Sequence, residues 1–89
     1  MSRFHTLAIA RPRTLAKVGD RANRMAAQHD GGARRYIPPG DDVLFFTDII
    51  DAGKSFTLHI TAPAERGEYP YLCTFPGHYM AGMKGKLIV

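Results

Sequence analysis

The chain has 89 residues, a net charge of +4, 45% hydrophobic and 22% charged residues, values typical of one soluble globular domain spanning residues 1–89. No apolar run reaches the roughly 20 residues of a membrane-spanning helix, and the single cysteine, Cys73, excludes an internal disulfide. Eight of the twelve Lys and Arg residues precede Tyr36. They form either a solvated helix face or a docking surface for an acidic partner. Aromatic residues are not interleaved with them, which argues against nucleic-acid binding.

The first third of the chain predicts a strand followed by a helix. Phe4–Ala10 is a short apolar run that ends at Arg11-Pro12. Residues 15–28 then place apolar side chains three and four positions apart, which indicates one apolar helical stripe. The stripe comprises Leu15, Val18, Ala22, Met25 and Ala26. Thr14 is suited to be the N-cap, and Gly31-Gly32 to stop the helix.

The remainder predicts short strands separated by turns. Residues 55–61 alternate apolar and polar side chains, the pattern of a half-buried strand. Pro, Gly and Asp cluster at 38–42 and at 51–54, which indicates turns. The predicted strands are Val43–Thr47, Ser55–Thr61, Tyr69–Thr74 and Lys84–Val89. Together these elements favour an all-β sandwich with one helical excursion.

The segment from Cys73 to Gly85 carries a thiol, an imidazole and a thioether in one loop. Four residues separate Cys73 from His78, and four separate His78 from Met83. Pro76-Gly77 is suited to the tight turn that would bring the three side chains together. Thiolate and thioether sulfur with imidazole is a donor set that selects copper over magnesium or calcium. A blue-copper site binds its ion with two histidines and one cysteine. The loop supplies one histidine, so the second must come from elsewhere.

The motif Cys-Thr-Phe-Pro-Gly-His, followed by Met83-Lys84-Gly85, resembles the copper loop of the cupredoxins, in the azurin and auracyanin branch. The resemblance implies a Greek-key β-sandwich with a helical flap at about 14–36, lacking the family's first one or two strands. It also implies one copper ion. The expected ligands are His5, Cys73, His78 and Met83.

Several positions near this motif need separate treatment. Thr6 stands where the family usually has an asparagine that ties the first histidine's segment to the cysteine loop. Met80 competes with Met83 for the axial position, and Lys84-Gly85 directly after Met83 favours Met83. The carbonyl of Phe4 matches a distant axial oxygen of azurin-like sites. His29 and His59 are expected to be surface residues without a role.

The resemblance implies a blue (type-1) copper protein that carries single electrons and has no enzymatic turnover. The alternatives are an electron-entry module detached from a larger copper redox enzyme, and a copper-binding carrier without electron transfer. A redox partner is expected to dock on an apolar patch through which the edge of His78 emerges. This patch comprises Phe75, Pro76, Tyr79 and Met80. A monomer is expected, in the periplasm or otherwise outside the cytoplasm, although the first residues do not form a secretory signal.

Overall fold

A computed structural model describes residues 3–89 and contains one helix and one four-stranded antiparallel sheet among them. The strands lie in the order β2-β1-β3-β4. In chain order the elements are β1 (Ala8–Ala10), α1 (Leu15–Met25), β2 (Val43–Phe46), β3 (Glu68–Leu72) and β4 (Lys84–Ile88). The central strand β1 pairs with both β2 and β3, and Ala8 lies opposite Phe46 on one side and Leu72 on the other.

The helix α1 packs against one face of this sheet through the predicted apolar stripe. Val18 is fully buried, and Ala22 and Met25 are nearly so. Val18 forms the core cluster together with Ala8, Ala10 and Leu72. The helix ends three residues earlier than predicted, which leaves Ala26 exposed.

The predicted N-cap is not made by a side chain. Thr14 lies at the N-cap position, but its hydroxyl donates to the carbonyl of Arg11, 2.7 Å away, rather than accepting from the first helical N–H groups. Short polar side chains often bond to nearby backbone in this way. The predictions of the helix start and of Thr14 as the N-cap residue are therefore correct, although the Thr14 side chain makes no capping hydrogen bond.

One residue of α1 is a glycine because the loop beyond β3 lies against it. A Cβ atom at Gly19 would lie 2.4 to 2.6 Å from three ring atoms of Tyr79. Tyr79 directly follows His78, and its ring is half-buried. The helix thereby supports the loop that contains three of the predicted ligands, Cys73, His78 and Met83.

The strand predicted at Ser55–Thr61 is wrong. This segment has no strand pairing in the structure, and Phe56 and Ile60 are 47% and 38% exposed. Alternation shows which side chains could share a face. It does not show whether a neighbouring strand is present to complete the backbone hydrogen bonds, and here none pairs with this segment within residues 3–89.

The first predicted strand is shorter than expected, but His5, which precedes the observed strand, is also held by backbone pairing. Regular pairing begins at Ala8, whereas His5 forms an isolated antiparallel bridge with Ile50. The His5 N–H donates to the Ile50 carbonyl at 2.9 Å, and the Ile50 N–H donates back at 2.7 Å. This bridge fixes the backbone of His5 before the sheet begins.

Within residues 3–89 the structure contains no helix that is both long enough and apolar enough to cross a membrane.

Candidate metal centre

Three potential ligands from two distant parts of the chain meet at one end of the sheet. His5 lies ahead of β1, Cys73 directly follows β3, and His78 lies in the loop beyond Cys73. One ligand atom from each of these residues lies within 4.8 Å of the others. The Cys73 Sγ atom is 3.2 Å from Nδ1 of His78 and 4.0 Å from Nδ1 of His5. The imidazole rings of the two histidines lie 4.8 Å apart between centroids.

The loop after Cys73 is folded back on itself by backbone hydrogen bonds. Gly77 provides a turn with φ of +85°, a conformation that favours glycine. The N–H of His78 donates to the carbonyl of Phe75 at 3.0 Å, and the N–H of Met83 donates to the carbonyl of His78 at 3.1 Å. The N–H of Cys73 donates to the carbonyl of Met83, also at 3.0 Å. The loop therefore holds the backbone of Met83 beside both Cys73 and His78.

The two methionines of this loop differ in their surroundings. Met83 is half-buried, whereas Met80 is 72% exposed. Met83 also has backbone hydrogen bonds to the segments of both predicted loop ligands. These contacts support Met83 rather than Met80 as the methionine that would bind the ion.

Thr6 ties the His5 segment to the cysteine loop with its hydroxyl group. The Thr74 N–H donates to Oγ1 of Thr6 at 2.9 Å, and the two threonine hydroxyls lie 2.5 Å apart. The backbone N–H of Thr6 also points to the Sγ of Cys73, 3.4 Å away. Thr6 and Thr74 are both buried, and buried polar groups are stable when they are paired in this way. The Thr6 side chain therefore connects the His5 segment to the cysteine loop directly.

The donor atoms and their spacing fit a copper ion. Sulfur and imidazole nitrogen atoms that would bind the same first-row ion, through bonds of about 2.0–2.3 Å, lie no more than about 4.4 Å apart. The observed separations between Cys73 Sγ and the two Nδ1 atoms, 3.2 and 4.0 Å, both lie within this limit. Cys73 and His78 are 5% and 1% exposed, so the site excludes most water. Sulfur and imidazole donors of this kind suit copper.

The remaining predictions have mixed outcomes. The expectation that the edge of His78 emerges at the surface is wrong, because this side chain is almost fully buried. His29 and His59 are exposed, and neither belongs to the His5, Cys73 and His78 group. Phe4 is half-buried, and its ring lies 5.8 Å from that of Phe75.

One connection to this centre has no signal in the sequence. The Thr74 hydroxyl donates to the carbonyl of Arg35 at 3.4 Å. The two residues are 39 positions apart, and the contact uses a backbone atom of Arg35. No residue type or spacing signals such a contact in a single sequence.

Comparison with known proteins agrees with this geometry. Residues 14–89 match the model of the copper binding proteins of the plastocyanin/azurin family. The chain belongs to this family. The match covers most of the chain and includes the whole cysteine loop, and with the donor set described above it shows that the protein binds one copper ion.

Individual relatives place the chain beside the auracyanins. It is 47% identical over 66 residues to auracyanin-B of Chloroflexus aurantiacus, an alignment that covers 72% of this chain and 27% of that protein. The structure of reduced auracyanin from Roseiflexus castenholzii superposes with a TM-score of 0.78 at 32% identity, covering 100% of this chain and 68% of the other. Auracyanin A of Chloroflexus aurantiacus, described as a "blue" copper protein, has a TM-score of 0.75 at 28% identity, covering 99% and 68%.

These superpositions show that the fold is that of the cupredoxins. The chain spans about a quarter of the length of auracyanin-B.

Proposed function

We propose that this chain is a blue copper protein that carries single electrons, with the ion held by His5, Cys73, His78 and Met83. The observation that carries the proposal is the meeting of one thiol and two imidazoles within 4.8 Å. Met83 is included as a ligand because it is half-buried and has backbone hydrogen bonds to Cys73 and His78.

The chain's own residues would prepare the site for electron transfer in two ways. The backbone bonds of Cys73 and the bridge at His5 hold the donor atoms in one arrangement whether or not charge changes at the centre. Burial of Cys73 and His78 keeps water from binding and reorganising there. The copper ion, when bound, supplies the one-electron oxidation and reduction.

The decisive experiment is optical, on protein loaded with Cu(II). A type-1 site should give an intense visible absorption from charge transfer between the cysteine sulfur and copper. Cys73→Ser should abolish this band, and His5→Ala should abolish or strongly shift it. His59→Ala is the matched control, because this histidine is exposed and outside the group, and it should leave the band unchanged. A colourless Cu(II) complex of the unmodified protein would refute the type-1 assignment.

Cyclic voltammetry separates electron transfer from simple copper carriage. An electron carrier should give a reversible one-electron wave, because its ligands remain bound in both oxidation states. Absence of such a wave in a protein that binds copper tightly would favour the carrier alternative.

The partner surface of this carrier is proposed to be the apolar patch of Phe75, Pro76, Tyr79 and Met80. Met80 is its most exposed side chain, at 72%, whereas His78 itself is covered. A weak complex between redox proteins needs only a small interface. Met80→Lys should therefore lower the second-order rate constant of electron transfer to the native partner and leave the reduction potential unchanged. An unaltered rate constant would place the docking surface elsewhere.

Four further properties belong to the same proposal. Residues 1–89 act as one domain, without enzymatic turnover of their own, as a monomer, and outside the cytoplasm. The support is the resemblance to the azurin and auracyanin branch. Light scattering tests the monomer. Fractionation of the native cells, with detection of the protein in the periplasmic or external fraction, tests the location.

A further inference from the structure

The turn formed by Arg35 and Tyr36 has an unusual backbone. Both residues have positive φ angles, 56° and 54°. Residues with a side chain rarely adopt this conformation unless the surrounding structure holds them in it. The turn ends the helical flap, and its neighbours explain what holds it.

Two contacts fix this turn. The Tyr36 N–H donates to the Gly31 carbonyl at 2.9 Å. The Arg35 side chain reaches across to the chain beyond β2, where its Nε atom donates to Oδ1 of Asp48 at 2.7 Å. The same carboxylate oxygen accepts the N–H of Ile49 at 2.8 Å, so the carboxylate is itself held in place.

The Arg35-Tyr36 turn also contacts Thr74 and Phe75, the two residues that directly follow Cys73. The Arg35 carbonyl accepts the hydroxyl of Thr74 at 3.4 Å. The ring of Tyr36 meets the ring of Phe75 edge-on, with centroids 5.3 Å apart and planes at 72°. Such edge-to-face pairs have a preferred geometry and resist displacement. A displacement of the turn would therefore displace Thr74 and Phe75 at the start of the cysteine loop.

These contacts close a ring of four chain segments, and the segments of His5 and Cys73 belong to it. Thr74 is bonded to Thr6, next to His5, and His5 is bridged to Ile50. Ile50 lies two residues beyond Asp48. Asp48 bonds to the Arg35 side chain, and the Arg35 carbonyl accepts from Thr74, which closes the ring. The pair of Arg35 and Asp48 is the link in this ring made between exposed side chains, 45% and 58% exposed.

We propose that Arg35 and Asp48 are positioning residues for the metal centre, which hold the flap turn against Thr74 and thereby set the placement of Cys73. The proposal rests on ligation by Cys73 as proposed above. Neither side chain contacts the donor atoms, so their action passes through the Arg35 carbonyl and the Tyr36 ring. The consequence is that an exposed ion pair influences the spectrum and reduction potential of a buried site.

The first test compares two exposed ion pairs. Asp48→Ala removes the link, whereas Glu68→Ala removes the exposed pair of Lys86 and Glu68, whose residues lie in β4 and at the start of β3, outside the segments of this ring. We expect Asp48→Ala to shift the visible band and the reduction potential, and Glu68→Ala to shift neither. Asp48→Asn retains an oxygen acceptor for the Arg35 and Ile49 donors and should restore most of the original values. Equal spectra and potentials for Asp48→Ala and the unmodified protein would overturn the proposal.

A second readout does not need copper. In the metal-free protein, loosening the turn should speed hydrogen exchange at the Thr74 amide about two- to tenfold, the range expected for weakening one hydrogen bond. Arg35→Met should have the same effect as Asp48→Ala. Unchanged exchange in both variants would overturn the proposal even if the copper form could not be prepared. Loss of the visible band in the unmodified protein would instead contradict the proposed function.

A double-variant cycle tests the route. Thr74→Val removes the hydroxyl that donates to the Arg35 carbonyl. If Asp48 acts through this hydrogen bond, Asp48→Ala should shift the potential less in the Thr74→Val background than in the unmodified protein, because part of the link is already absent. Fully additive shifts would refute transmission through Thr74.

Discussion

The contact between Gly19 and Tyr79 allows a quantitative prediction about how the helix supports the metal loop. Glycine within a helix is normally destabilising, and replacement by alanine gains about 0.8–1.0 kcal/mol of helix propensity. Here the added Cβ atom would lie 2.4 to 2.6 Å from ring atoms of Tyr79. Overpacking of this kind costs about 1–3 kcal/mol. The two effects oppose each other, and we expect Gly19→Ala to lower the free energy of unfolding by up to about 2 kcal/mol.

Urea denaturation of four proteins checks this reasoning. In a Tyr79→Ala background the ring is absent, so Gly19→Ala should stabilise the protein by about 1 kcal/mol. The coupling energy between the two positions should therefore be about 1–3 kcal/mol. A coupling near zero, with Gly19→Ala stabilising in both backgrounds, would refute the contact as described.

Three further predictions concern the methionine ligand, acid stability and copper binding. Met83→Ala should change the visible spectrum and reduction potential of the copper form, whereas Met80→Ala should change neither; the reverse result would exchange their roles. Lys17 lowers the pKa of Asp42 by a hydrogen bond, and Arg35 does the same to the pKa of Asp48. Both carboxyl groups have pKa values in the folded state below the ordinary 3.8. The two ionised carboxylates therefore stabilise the fold above pH 3.8, and this stabilisation is lost as the pH falls through the lowered pKa values. Unfolding followed by circular dichroism should show a weaker acid dependence for the Asp42→Asn, Asp48→Asn double variant, and an identical dependence would contradict this assignment. Free copper at 100 times its dissociation constant should stabilise the folded state by about 2.7 kcal/mol, which raises the melting temperature by roughly 10–20 °C at this chain length. Equal melting with and without copper would mean that the ion does not bind the folded site tightly.

The fold was predictable where local pattern and burial coincide. The stripe of α1 follows from side-chain periodicity, and three of its five members are buried as expected. The alternation of residues 55–61 is as regular as that of any strand in the chain, yet the segment is mostly exposed and pairs with no strand in the described part of the chain, residues 3–89. Strand formation requires a partner for the backbone groups, and no property of the segment itself reveals whether one is available.

In the candidate site, the ligands that are close in sequence were predictable from their spacing, and the distant residues were not. Cys73, His78 and Met83 lie within one loop, so their spacing carries most of the information, and the backbone bonds of the loop are consistent with it. His5 lies 68 residues before Cys73, and only the family resemblance indicated its role. The link from Arg35 to Thr74 left no trace in the sequence, because it depends on a backbone carbonyl placed by a turn with positive φ.

Copper X-ray absorption of the Cu(II)-loaded protein tests the central claim most directly. The account predicts a first coordination shell with one short copper–sulfur bond and two nitrogen neighbours from imidazole rings, and loss of the sulfur scatterer in Cys73→Ser. A shell made only of nitrogen and oxygen atoms in the unmodified protein would contradict the site built from His5, Cys73 and His78.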